Sequence, residues 1–393
     1  AAFFYHEEDS HLMRFANSAI SLNTNEHLIR LEITVFDGKR SASYEMITDL
    51  GKLDEMKQGV DIAAEMVKHA MPLNYQPTLP AYAEPFADES GFDPALGGLS
   101  GEERLAFFNE ASRGLETEEI KLSGIFSSGT NVLAQASTQS GHAQYFKTSD
   151  AQVNMVLSHA GLKWEVTAEQ SAQKAADLAP ADLRRDLDFL LQRYQKEPAQ
   201  QIPVGKYDIV FGPTATGDLL SIMNWIGFSG GMMKRGYSFL GEAKLGQQVF
   251  SDKFTLVDDP TRPETFPFQR DLMGLPRRAF PIFDKGVFQA FTWTQDDADE
   301  FGAQPTGHTV THKSLVLGGG EMDVRTLGDL VRLPREKDIL YIPFLHYMNI
   351  VNPSRGLVTA SSRFGALLLK QDGSIVVPFN VRVTQSLLDI FGG

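Results

Sequence analysis

Apolar and polar residues alternate along Ile29-Arg30-Leu31-Glu32-Ile33-Thr34-Val35, and the run stops at the turn pair Asp37-Gly38. A period of two separates side chains onto the two faces of a strand, so residues 12–36 are predicted as hairpin strands leading into Ser41–Met46. The period then lengthens. Leu53, Met56, Val60, Ala63, Val67 and Met71 recur every three to four residues up to Pro72, which is the spacing of one apolar helix face. Residues 72–99 hold five prolines and are predicted as an irregular crossover. Ser100-Gly-Glu-Glu has the lettering of a capping box and predicts a helix over Glu102–Ser112. Residues 118–168 read as short strands broken at Ser-Ser-Gly and Ser-Gly-His, and Gln170–Tyr194 reads as a helix interrupted near Pro180.

The polar, proline-containing stretch Lys196–Pro203 is predicted as a domain boundary, dividing the chain into residues 1–200 and 201–393. Beyond it, Tyr207–Pro213 reads as a short buried strand. Gly217–Phe228 reads as a helix with Leu219, Ile222, Met223 and Ile226 on one face, released at Gly227-Phe-Ser-Gly-Gly. Strand-like runs then dominate: Lys253–Val257, Ala279–Phe283, Val287–Trp293, Leu315–Leu317, Ile339–Pro343, Ala366–Lys370 and Ile375–Val383. Regular strand–helix–strand alternation is absent. The predicted class is therefore α+β, with an N-terminal mixed helix and hairpin domain and a C-terminal, strand-rich, antiparallel sheet domain.

Composition changes this picture in three places. With 42% hydrophobic residues the chain is ordinary for a globular protein, and no stretch approaches the ~18 uninterrupted apolar residues of a membrane span. The 50 acidic residues outnumber the 36 basic ones for a net charge of −14, nearly all of it in residues 1–200. Such a field repels phosphate backbones, so direct nucleic-acid binding is not expected. Cysteine is absent, which removes disulfides, thiolate nucleophiles and every Cys-ligated metal site. No basic and apolar leader is visible at the N-terminus.

Motif lettering supplies little chemistry. His6-Glu-Glu-Asp-Ser-His11 spells a zinc-peptidase HExxxH, but on an extended segment an offset of five turns the two imidazoles to opposite faces, so a solvated strand edge is expected. His308-Thr-Val-Thr-His312 has an even offset that would place both rings on one strand face, with His346 as a third nitrogen; ordinary hydrogen-bonded histidines are the leading expectation. Gly230-Gly231 and Gly318–Gly320 lack the following Lys-Ser/Thr of a phosphate loop, and no GxSxG elbow occurs.

The segment Phe211-Gly-Pro-Thr-Ala-Thr-Gly217 through Gly236-Tyr-Ser238 resembles a signature stretch of the TldD/PmbA family. Its members were first named modulators of DNA gyrase and are regarded as zinc-metalloprotease components. The frame fits at Pro213, Gly217, Leu219, Leu220, Gly227, Gly230, Arg235, Gly236 and Ser238. Arg14–Ile20, Lys244–Gly246, Leu256–Asp259, Gly274–Pro276, Asp284–Val287, Pro305–His308 and Val351–Gly356 resemble further family segments in the same order. In the catalytic branch this resemblance implies HExxGH on the helix and a third zinc ligand, a Cys, near the C-terminus. Here Ser221, Ile222 and Ile226 stand at the first His, the Glu and the second His, and Trp225 stands at the glycine, where it is expected to fill the metal's space. An offset of five spreads side chains by about 140° on an ideal helix, so the catalytic version needs a local distortion.

The resemblance is therefore closest to the TldE/PmbA-like branch lacking HExxxH. It implies a non-catalytic, cytoplasmic subunit with no zinc or other cofactor of its own. The implied partners are a TldD-like catalytic homologue, which would carry the zinc, or a second copy of itself, with an unfolded peptide substrate held by strand pairing and no membrane or direct nucleic-acid contact. Peptide maturation and antitoxin degradation are the implied roles. Family members usually extend beyond both ends of this chain, so missing termini are expected. Arg235, His308, Asn352 and Arg363, polar residues in or beside family-like turns, are the candidate cleft or peptide-binding residues. A stand-alone peptide-binding or structural homodimer, or a metallopeptidase with a divergent site around His308, His312 and His346, remain as alternatives.

Overall fold

The computed structural model describes residues 1–196, 198–265 and 268–392 and has the α+β class expected. Its first half runs β1 (Ala2–Ala16), β2 (Ala19–Asp37), β3 (Arg40–Thr48), α1 (Leu53–His69), β4 (Phe86–Gly91), α2 (Pro94–Gly97), α3 (Gly101–Ser112), β5 (Ile120–Ser137), β6 (Ala143–His159), β7 (Trp164–Ala172) and α4 (Pro180–Tyr194). The second runs β8 (Asp208–Phe211), α5 (Pro213–Ile226), α6 (Gly230–Lys234), β9 (Leu256–Asp258), β10 (Phe280–Asp284), β11 (Val287–Phe288), α7 (Gln295–Phe301), β12 (Leu315–Leu317) and α8 (Leu327–Arg332). It continues with β13 (Ile339–Ile342), β14 (Phe344–Asn352), β15 (Leu357–Arg363), β16 (Leu367–Leu369), β17 (Ile375–Val376), β18 (Arg382–Ser386) and α9 (Leu387–Gly392).

One large sheet organises the first half, in the order β3-β2-β1-β5-β6, with β4 and β7 sharing the outer edge of β6. β7 pairs antiparallel with Ala151–His159, while β4 pairs parallel with Gln144–Thr148, so the two strands lie end to end on one neighbour. The predicted crossover over 72–99 thus contains a strand and the short helix α2. The predicted helix start at Gln170 is also corrected, because residues 164–172 cover an edge of β6 that would otherwise leave its amides unpaired. Pro180 begins α4 rather than interrupting it, at a position where its missing N–H costs nothing. The capping box at Ser100 and Glu103 forms as predicted.

The strands are longer than their patterns suggest. β1 starts at Ala2, because polar side chains on both faces of the β1–β2 ribbon erase the period; their turn is Asn17-Ser18, both with positive φ. Ser127-Ser-Gly129 lies inside β5 instead of breaking it. A Cβ at Gly129 would sit 2.4 Å from the Asp9 carbonyl oxygen, so the glycine is there to admit the backbone of β1.

Three small sheets, β11-β10-β9-β12, β17-β16-β13-β8 and β14-β15-β18, build the second half around α5. All their pairings are antiparallel except β8 with β13. Helices α7 and α8 were not legible as periodic patterns, being only seven and six residues long; each begins at a threonine whose side chain accepts a hydrogen bond from the backbone N–H three residues on. A core of Phe228, Phe283, Phe288, Met223 and Ile226 fills this half. The other large core crosses between the halves, packing Leu183, Leu187 and Leu190 of α4 in one cluster with Leu330, Tyr341, Leu367 and Leu369. Glu197, in the predicted linker, lies outside the described residues. No helix among the described residues is long and apolar enough to cross a membrane.

Candidate functional site

Helix α5 starts from Gly212, whose amide bonds Ile342 O at 2.9 Å and whose missing Cβ lets Pro343 and the Tyr341 hydroxyl approach. Ala215, Leu219, Leu220, Met223 and Ile226 form its buried face. Ser221 is exposed, Ile222 is half-buried against the core, and Ile226 is 1% exposed within it. The 140° offset of an undistorted helix thus sends position 221 to solvent and position 226 to the interior. Trp225 departs from expectation: it is 55% exposed and fills no internal space. A hydroxyl and two aliphatic chains facing different ways do not fit a zinc ion. Among the described residues, no group of three or more His, Asp or Glu side chains is placed to hold a metal either, so His308, His312 and His346 do not assemble.

Arg235 closes α6 and clamps it to α7. One guanidinium nitrogen bonds Asp297 at 2.8 Å, another reaches Glu300, and the group lies 5.0 Å from the Phe301 ring. Gly230 and Gly231 permit this contact, because a Cβ at either would strike the Trp293 ring or the Asp297 carboxylate. Asn352 is a local cap, its Oδ1 accepting from Arg355 N at 3.1 Å and from the Ser354 hydroxyl at 2.9 Å.

His308 is enclosed, 3% exposed, in a buried charged cluster. Arg277 Nη2 donates to both oxygens of Asp258 at 3.0 and 2.7 Å, Ser314 N donates to Oδ1 at 2.5 Å, and His308 Nδ1 meets the Thr306 hydroxyl at 2.7 Å. His308 Nε2 stands 2.9 Å from Asp258 Oδ2 but is poorly aligned for a hydrogen bond. Burial pushes Asp258 up, yet His308 and Arg277 together hold its carboxyl below the usual range. Burial pushes His308 down despite Asp258, so the ring is neutral at neutral pH. His6 and His11 lie on a strand, but not on the expected sheet edge, since β2 and β5 flank β1; they bond Asn131 on one side and Asn25 on the other.

Arg363 is the sequence candidate that reaches a cavity. The space, about 420 Å³, lies where the start of β7 and the end of α4 meet β14, β15 and the turn after β15. Arg363 Nε and Nη2 donate to Glu165 Oε2 at 3.2 and 3.0 Å, Nη1 lies 3.3 Å from His346 Nδ1, and the guanidinium covers the Phe364 ring. Tyr347 and Phe364 hold φ of 52° and 59°, a left-handed backbone that costs a non-glycine residue roughly 1–3 kcal/mol. Tyr347 and Phe379 expose aromatic rings at the rim. Ser361 faces His346 across β14 and β15, and His346 Nδ1 is turned to Arg363. The arrangement offers half-exposed charge, rings and strand backbone, suited to binding an extended ligand. Sequence reasoning missed Trp164, Glu165 and Tyr194, which arrive from the other half of the chain, and no local signal marks them.

The helix that carries the family-like stretch thus presents no metal-donor set among the described residues. Residues 204–393 match the sequence model of the PmbA/TldA metallopeptidase C-terminal domain. The crystal structure of TldE from Thermococcus kodakarensis superposes with a TM-score of 0.78 at 17% identity, over 99% of this chain and 89% of that one. A Bacteroides thetaiotaomicron protein described as a "putative modulator of DNA gyrase" gives 0.77 at 17% identity, over 100% and 87%. At such identity these two show the fold. A Methanothermobacter thermautotrophicus protein described as a metalloprotease is 27% identical over 130 residues, which span 32% of this chain and 28% of that protein.

Proposed function

We propose that this chain is the non-catalytic, TldE/PmbA-like subunit of a TldD/TldE-type zinc metalloprotease acting on unfolded peptides in the cytoplasm. The observation that carries the reading is the burial of Ile226 in the core while Ser221 faces solvent, which leaves the signature helix with neither donors nor a shared face. The zinc then belongs to a TldD-like catalytic homologue. Residues 201–393 form the family-type domain, and the preceding 200 residues build the wall that it packs on. Exposed Tyr347, Val351 and Phe379 and the half-exposed Arg363 give the second half a surface on which a peptide and the catalytic subunit can be held.

The test is reconstitution. The purified chain is expected to hold no stoichiometric zinc by atomic emission and to leave unfolded peptides intact, with cleavage appearing when a homologue bearing HExxGH is added. Turnover by the isolated, metal-stripped chain overturns the proposal. A stable homodimer that ignores every catalytic homologue instead favours a stand-alone binding protein.

A further inference from the structure

A second depression, about 850 Å³, runs between α4 and α8 and is lined by Arg184, Arg185, Arg193 and Arg332 along with Asp186 and Asp188. Its arginines are not equivalent. Arg184 is held by Asp188 at 2.7 Å, and Arg185 by Asp182 at 2.6 Å with Asp186 at 3.5 Å. Arg193 has no carboxylate partner among the described residues. Its Nη1 donates to the Phe189 carbonyl at 2.8 Å, its guanidinium stacks 3.5 Å from the Phe189 ring centroid, and its buried Nε has no partner. Burial lowers its proton affinity with no acid to offset the effect. Arg332 is 80% exposed and tethered only by Asp329 at 3.4 Å, which leaves it free to swing.

A part-buried arginine without a carboxylate partner among the described residues is conspicuous, since removing its charge from water is costly unless an anion compensates. The ring beneath the guanidinium fixes its plane, and with Nη1 given to the Phe189 carbonyl and Nε buried, Nη2 is the nitrogen left to donate to an anion. We propose that this groove is an oxyanion-binding site for a small molecule bearing phosphate or carboxylate groups, with Arg193 as the anchor and Arg332 as a second contact. Because α4 and α8 come from different halves, such a ligand would tie the halves together.

Isothermal titration of the full chain at low salt, with pyrophosphate in one arm and citrate in the other, tests this. Binding of pyrophosphate alone assigns a phosphate-bearing ligand, and binding of citrate alone a carboxylate-bearing one. In either arm Arg193→Gln is expected to weaken binding about tenfold or more. Arg193→Lys keeps the charge and the long stem but loses the flat group stacked on Phe189, so it serves if the glutamine variant fails to fold, and a smaller loss is expected. Absence of binding in both arms, or unchanged affinity in the folded variants, overturns the proposal.

Discussion

At the scale of single residues, the buried cluster around Asp258 separates charge that is neutralised from charge that is not. Arg277 is held in a two-oxygen grip, whereas Lys313 beside it makes no ion pair among the described residues, and burial pushes its ammonium down to about 8 despite the pull of Asp258. An unfolded lysine titrates near 10.4, so between about pH 8 and 10.4 the unfolded chain binds more protons than the folded one. Stability is therefore expected to rise with pH across that window. Lys313→Met is expected to flatten the rise and to stabilise the protein by about 1–2 kcal/mol at pH 7, read as the difference between variant and parent in urea melts at several pH values. A parent and variant with parallel pH profiles would contradict this account. The motif His308-Thr-Val-Thr-His312 was legible in the sequence, but its role was not, because burial and the arrival of Asp258 and Arg277 decide it.

At the scale of elements, glycine carries opposite meanings in neighbouring parts of one sheet. Gly38 turns β2 into β3 with φ +56° and open space around it, so Gly38→Ala should cost only the left-handed backbone, about 1 kcal/mol. Gly124 sits inside β5, where a Cβ would fall 2.2 Å from the Asn154 carbonyl oxygen of β6. Gly124→Ala must move backbone in the centre of the sheet and is expected to cost roughly 2–3 kcal/mol, measurable by equilibrium denaturation. Equal losses in the two variants would count against the close-approach reading. The sequence pattern located the Asp37-Gly38 turn correctly but took Ser-Ser-Gly129 for another, since both look alike until the neighbouring strand is in place.

At the scale of the molecule, the predicted boundary at 196–203 marks where the chain changes composition, while the packing runs across it. Leu330, Tyr341, Leu367, Leu369 and Val377 share a core with α4 and the large sheet, and Arg363 reaches Glu165 from the far half. Residues 204–392 made alone would expose that apolar surface, at about 25 cal/mol per Å². They are expected to aggregate or to melt well below the full chain, which should itself unfold in one cooperative calorimetric transition. Two separate transitions, one matching the isolated half, would show that the halves are independent.

Period and punctuation in the sequence were enough for α1, the capped α3, the strand and helix of β8 and α5, and the family of the second half. They sufficed because each depends on contacts within a few residues or on a continuous stretch of letters. The letters Ser221, Ile222 and Ile226, at the positions where the family resemblance implies zinc donors, were also legible there. Only the tertiary structure decided that Trp225 faces solvent, that His308 is a buried partner of Asp258, that residues 164–172 are a strand, and that Arg363 and Arg193 look into cavities. Each of these turns on which distant backbone or charge arrives beside the residue, and a linear pattern holds no record of that.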